Sequence, residues 1–120
     1  MSNEIKLPPA VQERLLRLQQ LQQTLQSLLA QKQQVELELL EVDRALEELK
    51  KTPDDEVIYK SVGSILVKTQ KSKITKELAE RKELANMRIS VLGKQEERIR
   101  SQIKELNEKL QRDLRPLSPR

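Results

Sequence analysis

The chain contains no cysteine, histidine, tryptophan or phenylalanine, and only one tyrosine and two glycines among 120 residues. Without cysteine there are no disulfides and no thiolate metal centres. Without histidine the commonest general base and the commonest metal ligand are both missing. Buried aromatic rings usually contribute about 150–250 Å² each to a core, so any core here must be built from Leu, Ile and Val. No stretch approaches the roughly 18 consecutive apolar residues of a membrane span. The opening "MSNEIKLPPA" has neither a basic n-region nor an apolar h-region, so no signal peptide and a cytoplasmic location are expected. No catalytic, cofactor-binding or metal-binding residues are expected, and the chain does not read as an enzyme.

What is present is leucine and charge. Charged residues make up 35% of the chain and the net charge is +4. A leucine-rich, charge-rich composition poor in glycine and aromatics points to long helices or coiled coil. Pro8 and Pro9 stand where a helix can start, since proline is tolerated in the first turn. From Val11 the heptad is regular. Val11, Leu18, Leu25, Lys32, Leu39 and Leu46 occupy a; Arg14, Leu21, Leu28, Val35, Val42 and Leu49 occupy d. Such a repeat predicts a coiled-coil helix over about 9–51. Pro53 ends it. At helix rise, Val11 to Leu49 spans roughly 60 Å.

A second helix is expected over about 72–115, with Ser72 as its N-cap. Its core series runs Leu78, Lys82, Ala85, Ile89, Leu92, Glu96, Ile99, Ile103, Leu106, Leu110 and Asp113, at alternating spacings of four and three. Gly93 weakens it by about 1 kcal/mol relative to alanine. Residues 116–120 are expected to form a short unstructured tail. Val11–Lys50 carries a net charge of −2 and Lys73–Arg115 a net charge of +4, which favours folding the two helices back on each other as an antiparallel pair. The seam exceptions then match in sign. Arg14 falls near Asp113, and Lys32 near Glu96, so these four residues are expected to set the register.

Between the helices lies "VIYKSVGSILVK", Val57 to Lys68. β-branched residues dominate it and Gly63-Ser64 supplies a turn, so a β-hairpin is expected over about 56–70. A lone hairpin is marginal in water. Its open edges and two apolar faces predict edge pairing with hairpins of other chains, closing an intersubunit β-barrel. Val57, Ile58, Tyr59, Val62, Gly63, Ile65, Leu66 and Val67 are the expected oligomer interface. The competing reading is a strained loop at the bend of a helical hairpin. The acidic cluster Asp54, Asp55 and Glu56 is read as loop, because one loop offers no complementary ligands for an ion. "GSILVK" lacks the spacing of a phosphate loop.

With "YKSVGSILVK" at the hairpin, "KQEERIRSQIKEL" at Lys94–Leu106, and the glutamine-rich "RLQQLQQTLQSLLAQKQQVELEL", the chain resembles the prefoldin family over nearly its full length. A single hairpin places it with the β-type rather than the α-type subunits. The resemblance implies one domain over 1–120 and a hexamer of two α-type and four β-type chains built on a β-barrel platform. It also implies an ATP-independent holdase that captures non-native proteins at the coiled-coil tips, prevents their aggregation and passes them to a group II chaperonin. No membrane or nucleic-acid partner is expected. The tail after Arg115 matches nothing in the family pattern.

The residues themselves support a client site at the tips. There Leu15, Leu16, Leu114 and Leu117 lie off the ideal seam beside Val11 and Leu110, and Ile5 and Leu7 add apolar groups in the arm. Rod tips have no third layer to cover such groups, and exposed apolar patches mark interaction sites. Val11 and Leu110 serve equally well as the last core layer. Two other functions share parts of the pattern. A scaffold or tether needs the coiled coil without the hairpin. A zipper-type DNA binder needs a dense basic run, whereas here Lys and Arg alternate with Glu.

Overall fold

A computed structural model describes residues 6–115. Helix α1 spans Pro9–Lys50, strands β1 and β2 span Ile58–Val62 and Ile65–Thr69, and helix α2 spans Lys71–Leu114. The fold is mostly helical, with a two-stranded antiparallel hairpin between two long helices.

The helix ends follow from local chemistry. Pro8 O accepts from Val11 N at 3.0 Å and from Gln12 N at 3.1 Å, so Pro9 takes the first helical position, where its missing N–H costs nothing. At the other end Lys51 N and Thr52 N reach back only three residues, to Glu48 O and Leu49 O, and the Thr52 hydroxyl donates to Glu48 O at 2.8 Å. Pro53 then blocks continuation. The start of α2 differs from the expectation of a Ser72 cap. Ile74 N donates to Gln70 O at 3.0 Å, so the cap falls on Gln70 and Ser72 lies inside the first turn. Strand β2 ends at Thr69, which leaves a single residue for the junction. The helix start is anchored instead by Lys71, whose Nζ donates to Thr52 O at 2.8 Å and pairs with Asp54 at 3.1 Å.

Internal packing divides the chain into two compact units, one of Lys32–Val91 and the other of the flanking segments up to Gln31 and from Leu92. In the Lys32–Val91 unit, Val35, Val42, Leu49, Leu78 and Ala85 are buried. Val42, Leu49 and Leu78 form a cluster against which Ala45, Leu46, Ile58 and Ile74 pack. Salt bridges flank it: Lys82 Nζ to Asp43 at 2.9 Å, and Arg81 to Glu38 at 3.5 Å. In the other unit Val11, Leu21 and Leu110 are buried, and Arg14 pairs with Asp113. All the heptad positions named from the sequence in either helix are buried or half-buried. That is the result of a repeat near 3.5 residues keeping one stripe of each helix turned to its partner.

Candidate functional site

The hairpin register pairs Ile58 with Thr69, Tyr59 with Lys68, Lys60 with Val67, Ser61 with Leu66 and Val62 with Ile65. Directly paired residues share a face. One face therefore carries Ile58, Lys60, Val62, Ile65, Val67 and Thr69, and the other carries Tyr59, Ser61, Leu66 and Lys68. The loop is Gly63-Ser64. Gly63 has φ +58° and no other described residue but glycine has positive φ, the backbone pattern of a II′ hairpin turn.

The helices cover only the root of the first face. Ile58 packs against the Val42–Leu49–Leu78 cluster, and Lys60 Nζ donates to Glu77 Oε2 at 2.9 Å. That hydrogen bond, with the nearby charges of Lys60 and Lys73, holds the Glu77 carboxyl below its ordinary value. Of the residues expected to form an interface, Ile58 is thus turned inward. Val57, Tyr59, Val62, Ile65, Leu66 and Val67 are exposed, and Leu66 is 70% exposed. Among the described residues the sheet has two strands only, so each strand presents one unpaired edge next to apolar side chains on both faces.

The helix termini remote in sequence from the hairpin form the second candidate surface. Val11 and Leu110 are only 3% and 4% exposed and belong to the seam. Leu15 and Leu16 are exposed, the latter by 57%. Leu7 and Leu114 are half-buried, and Leu7 O accepts from Gln12 Nε2 at 2.8 Å. Ile5 and Leu117 lie outside the described residues, as does the tail 116–120. Of the four seam ions, Arg14 and Asp113 are brought together. Lys32 and Glu96 are half-buried, and Arg100 Nε donates to Glu96 at 2.9 Å.

Several outward-facing apolar residues belong to neither the seam nor the tips: Leu29, Leu37 and Leu40 on α1, and Leu84, Met87 and Val91 on α2. Their signal was present, since none of them stands on the heptad series. Among the described residues no group of three or more acidic side chains is placed to hold a metal ion, and no helix is long and apolar enough to cross a membrane.

Two heptad helices joined by a hairpin with exposed apolar faces define a class of hairpin-linked coiled-coil subunits. The family model of prefoldin subunits matches residues 12–115, and the chain belongs to the prefoldin family. It is 46% identical over 120 residues to the prefoldin subunit beta of Methanothrix thermoacetophila, covering 100% of this chain and 98% of that one. With the prefoldin subunit beta of Pyrococcus furiosus it shares 47% identity over 110 residues, 92% of this chain and 94% of the other. The crystal structure of the prefoldin beta subunit from Thermococcus strain KS-1 matches with a TM-score of 0.84 at 44% identity, covering 92% of this chain and 97% of that chain.

Proposed function

We propose that the chain is the β-type subunit of a cytoplasmic, ATP-independent holdase. It assembles through its hairpin with an α-type partner and further β-type copies, two α to four β. It captures non-native proteins with the ends of its helices, keeps them from aggregating and passes them to a group II chaperonin. The role is non-catalytic. The observation that carries the reading is the exposure, in one chain, of two unrelated apolar surfaces. One is the hairpin, with open edges and exposed Tyr59, Ile65 and Leu66; the other is the pair Leu15 and Leu16 beside a closed seam at Val11 and Leu110. A scaffold or tether needs only the coiled coil and gains nothing from either surface. Apolar contacts at several chain ends add through avidity once the hairpins hold the chains together.

The test is Leu15→Gln with Leu16→Gln in the assembled complex. Both positions are off the seam, so mass by sedimentation and thermal melting are expected to stay unchanged. Suppression of light scattering by a diluted, denatured client is expected to fall. Full suppression by the intact double variant would refute a client role for these ends.

A further inference from the structure

We infer that the outward face of α1 bearing Leu15, Gln19, Gln22, Gln26 and Leu29 is a polypeptide-binding strip that takes an extended, uncharged apolar segment of a non-native protein. This rests on the holdase reading and extends it from the end of the helix along one side of it. The five residues are spaced four, three, four and three apart, so they form a second stripe parallel to the seam. All five are exposed; the leucines at its two ends, Leu15 and Leu29, are 38% and 37% exposed.

The stripe lies almost wholly within a run that carries no charge. From Leu18 to Gln31 there is no charged residue, in a chain that is 35% charged. Outside this run charged side chains recur along the outward positions of both helices, the ordinary solution for a solvated helix face, although Leu37, Leu40, Leu84, Met87 and Val91 also stand there. A solvated face therefore does not require a charge-free run of amides. Among the described residues none hydrogen-bonds to the side chains of Gln19, Gln22 or Gln26, while the neighbouring Gln31 Nε2 is taken up by Ser27 Oγ at 3.2 Å. Each of the three amides thus presents two donors and an acceptor to the outside. That inventory matches a peptide backbone, which also needs both. A face without fixed charge buries no unpaired ion when an apolar segment lies down on it.

A groove of 320 Å³ adjoins the strip. Leu25, one turn from both Gln22 and Leu29, lines it with Ile103, Asn107 and Gln111 and with the charged Arg100, Lys104 and Glu108. The groove lined by Leu21 and Leu106 is smaller, 230 Å³, and is walled by Arg17, Glu105 and Lys109. The neutral strip thus borders the larger of the two. From Leu15 to Leu29 the helix rises about 21 Å, the length of roughly six residues of extended chain. The strip is also continuous with the exposed Leu16, so a segment captured at the end of α1 can extend along it.

The test uses the full-length chain in its assembled complex and a fluorescein-labelled peptide of Leu, Val, Ser and Gly, read by anisotropy. Gln19→Glu, Gln22→Glu and Gln26→Glu are combined in one variant, and Gln19→Lys, Gln22→Lys and Gln26→Lys in another. The control combines Gln20→Glu, Gln23→Glu and Gln34→Glu, on the other outward positions of α1. Both strip variants are expected to weaken the peptide by about fivefold or more, since either sign must be buried against apolar groups. The control is expected to stay within twofold. Equal weakening by control and strip variants would overturn the inference, as a general charge effect. No weakening by the strip variants, with weakening by Leu15→Gln and Leu16→Gln, would overturn the strip and leave the holdase reading standing. No weakening by any variant would overturn both. A changed sedimentation mass with unchanged peptide affinity would make the strip a contact between copies and overturn its role toward peptides.

Discussion

Lys60 on β1 donates through Nζ to Glu77 Oε2 on α2 at 2.9 Å, tying the hairpin to the helix that follows it. The bond lies beside Ile58, the one strand residue that packs into the Val42–Leu49–Leu78 cluster. Polar and apolar contacts together set how the hairpin leaves its helices.

That bond makes hairpin docking pH-dependent in a defined direction. Glu77 is held below the ordinary glutamate value of 4.5, first by the hydrogen bond from Lys60 and then by the charges of Lys60 and Lys73. A carboxyl depressed in the folded state contributes stability above its unfolded value, and that contribution is lost as pH falls through the folded value. Carboxyl carbon shifts followed by NMR should place the Glu77 midpoint below 4.5. Lys60→Met should move it upward. A midpoint unmoved by that substitution would show that Lys60 is not the cause.

Arg14 and Asp113 pair between the first turns of α1 and the last turns of α2, with side chains 38% and 27% exposed. A pair that open to water is worth about 1 kcal/mol or less. Arg14→Asp should lower the melting temperature, and adding Asp113→Arg should recover part of the loss. Strictly additive effects in the double-mutant cycle would mean that the pair contributes no coupling.

Leu78 is 8% exposed and Leu84 52% exposed, six residues apart on α2. Leu78→Ala should cost about 2–3 kcal/mol, the lower part of the range for buried leucines, because a two-helix seam is only partly enclosed. Leu84→Ala should change stability by no more than about 0.5 kcal/mol. Chemical denaturation of the two variants checks the contrast.

The two glycines should respond to alanine with opposite signs. No atom lies within 4 Å of an added Cβ at either position, so backbone conformation decides. At Gly63, φ is +58°, and a side chain there costs about 1–2 kcal/mol. Gly63→Ala should speed amide exchange in the hairpin. Gly93 is inside α2, and Gly93→Ala should raise helix stability by about 0.5–1 kcal/mol.

Leu66 is the most exposed of the large apolar side chains among the described residues and sits on the hairpin face turned from the helices. Leu66→Glu should leave the helical circular dichroism of the chain intact and lower the sedimentation mass of the assembly. An unchanged mass would remove this face from the interface.

The helices and their seam were legible because a heptad is local information. The leucine and valine series, with its polar exceptions, can be counted along the chain, and the residues so counted are buried or half-buried in the structure. The hairpin was legible for a similar reason, since β-branched runs around Gly63-Ser64 specify a turn within a few residues. The cap of α2 was not. Ser72 has the better capping side chain, but the end of β2 at Thr69 and the anchor from Lys71 to Thr52 O put the first helical turn one residue ahead of it.

Two heptad helices, one hairpin between them and the stripe each helix buries follow from the order of residues alone, because periodicity and turn chemistry act over a few residues. Which apolar residues remain outside is settled only once the elements pack. Val11 and Leu110 close the seam while Leu15 and Leu16 stay exposed. Ile58 turns into the core while Leu66 turns away from it, although both are apolar residues of one hairpin. Exposure depends on what stands opposite in space, and a linear pattern specifies that only once the partner element is in place.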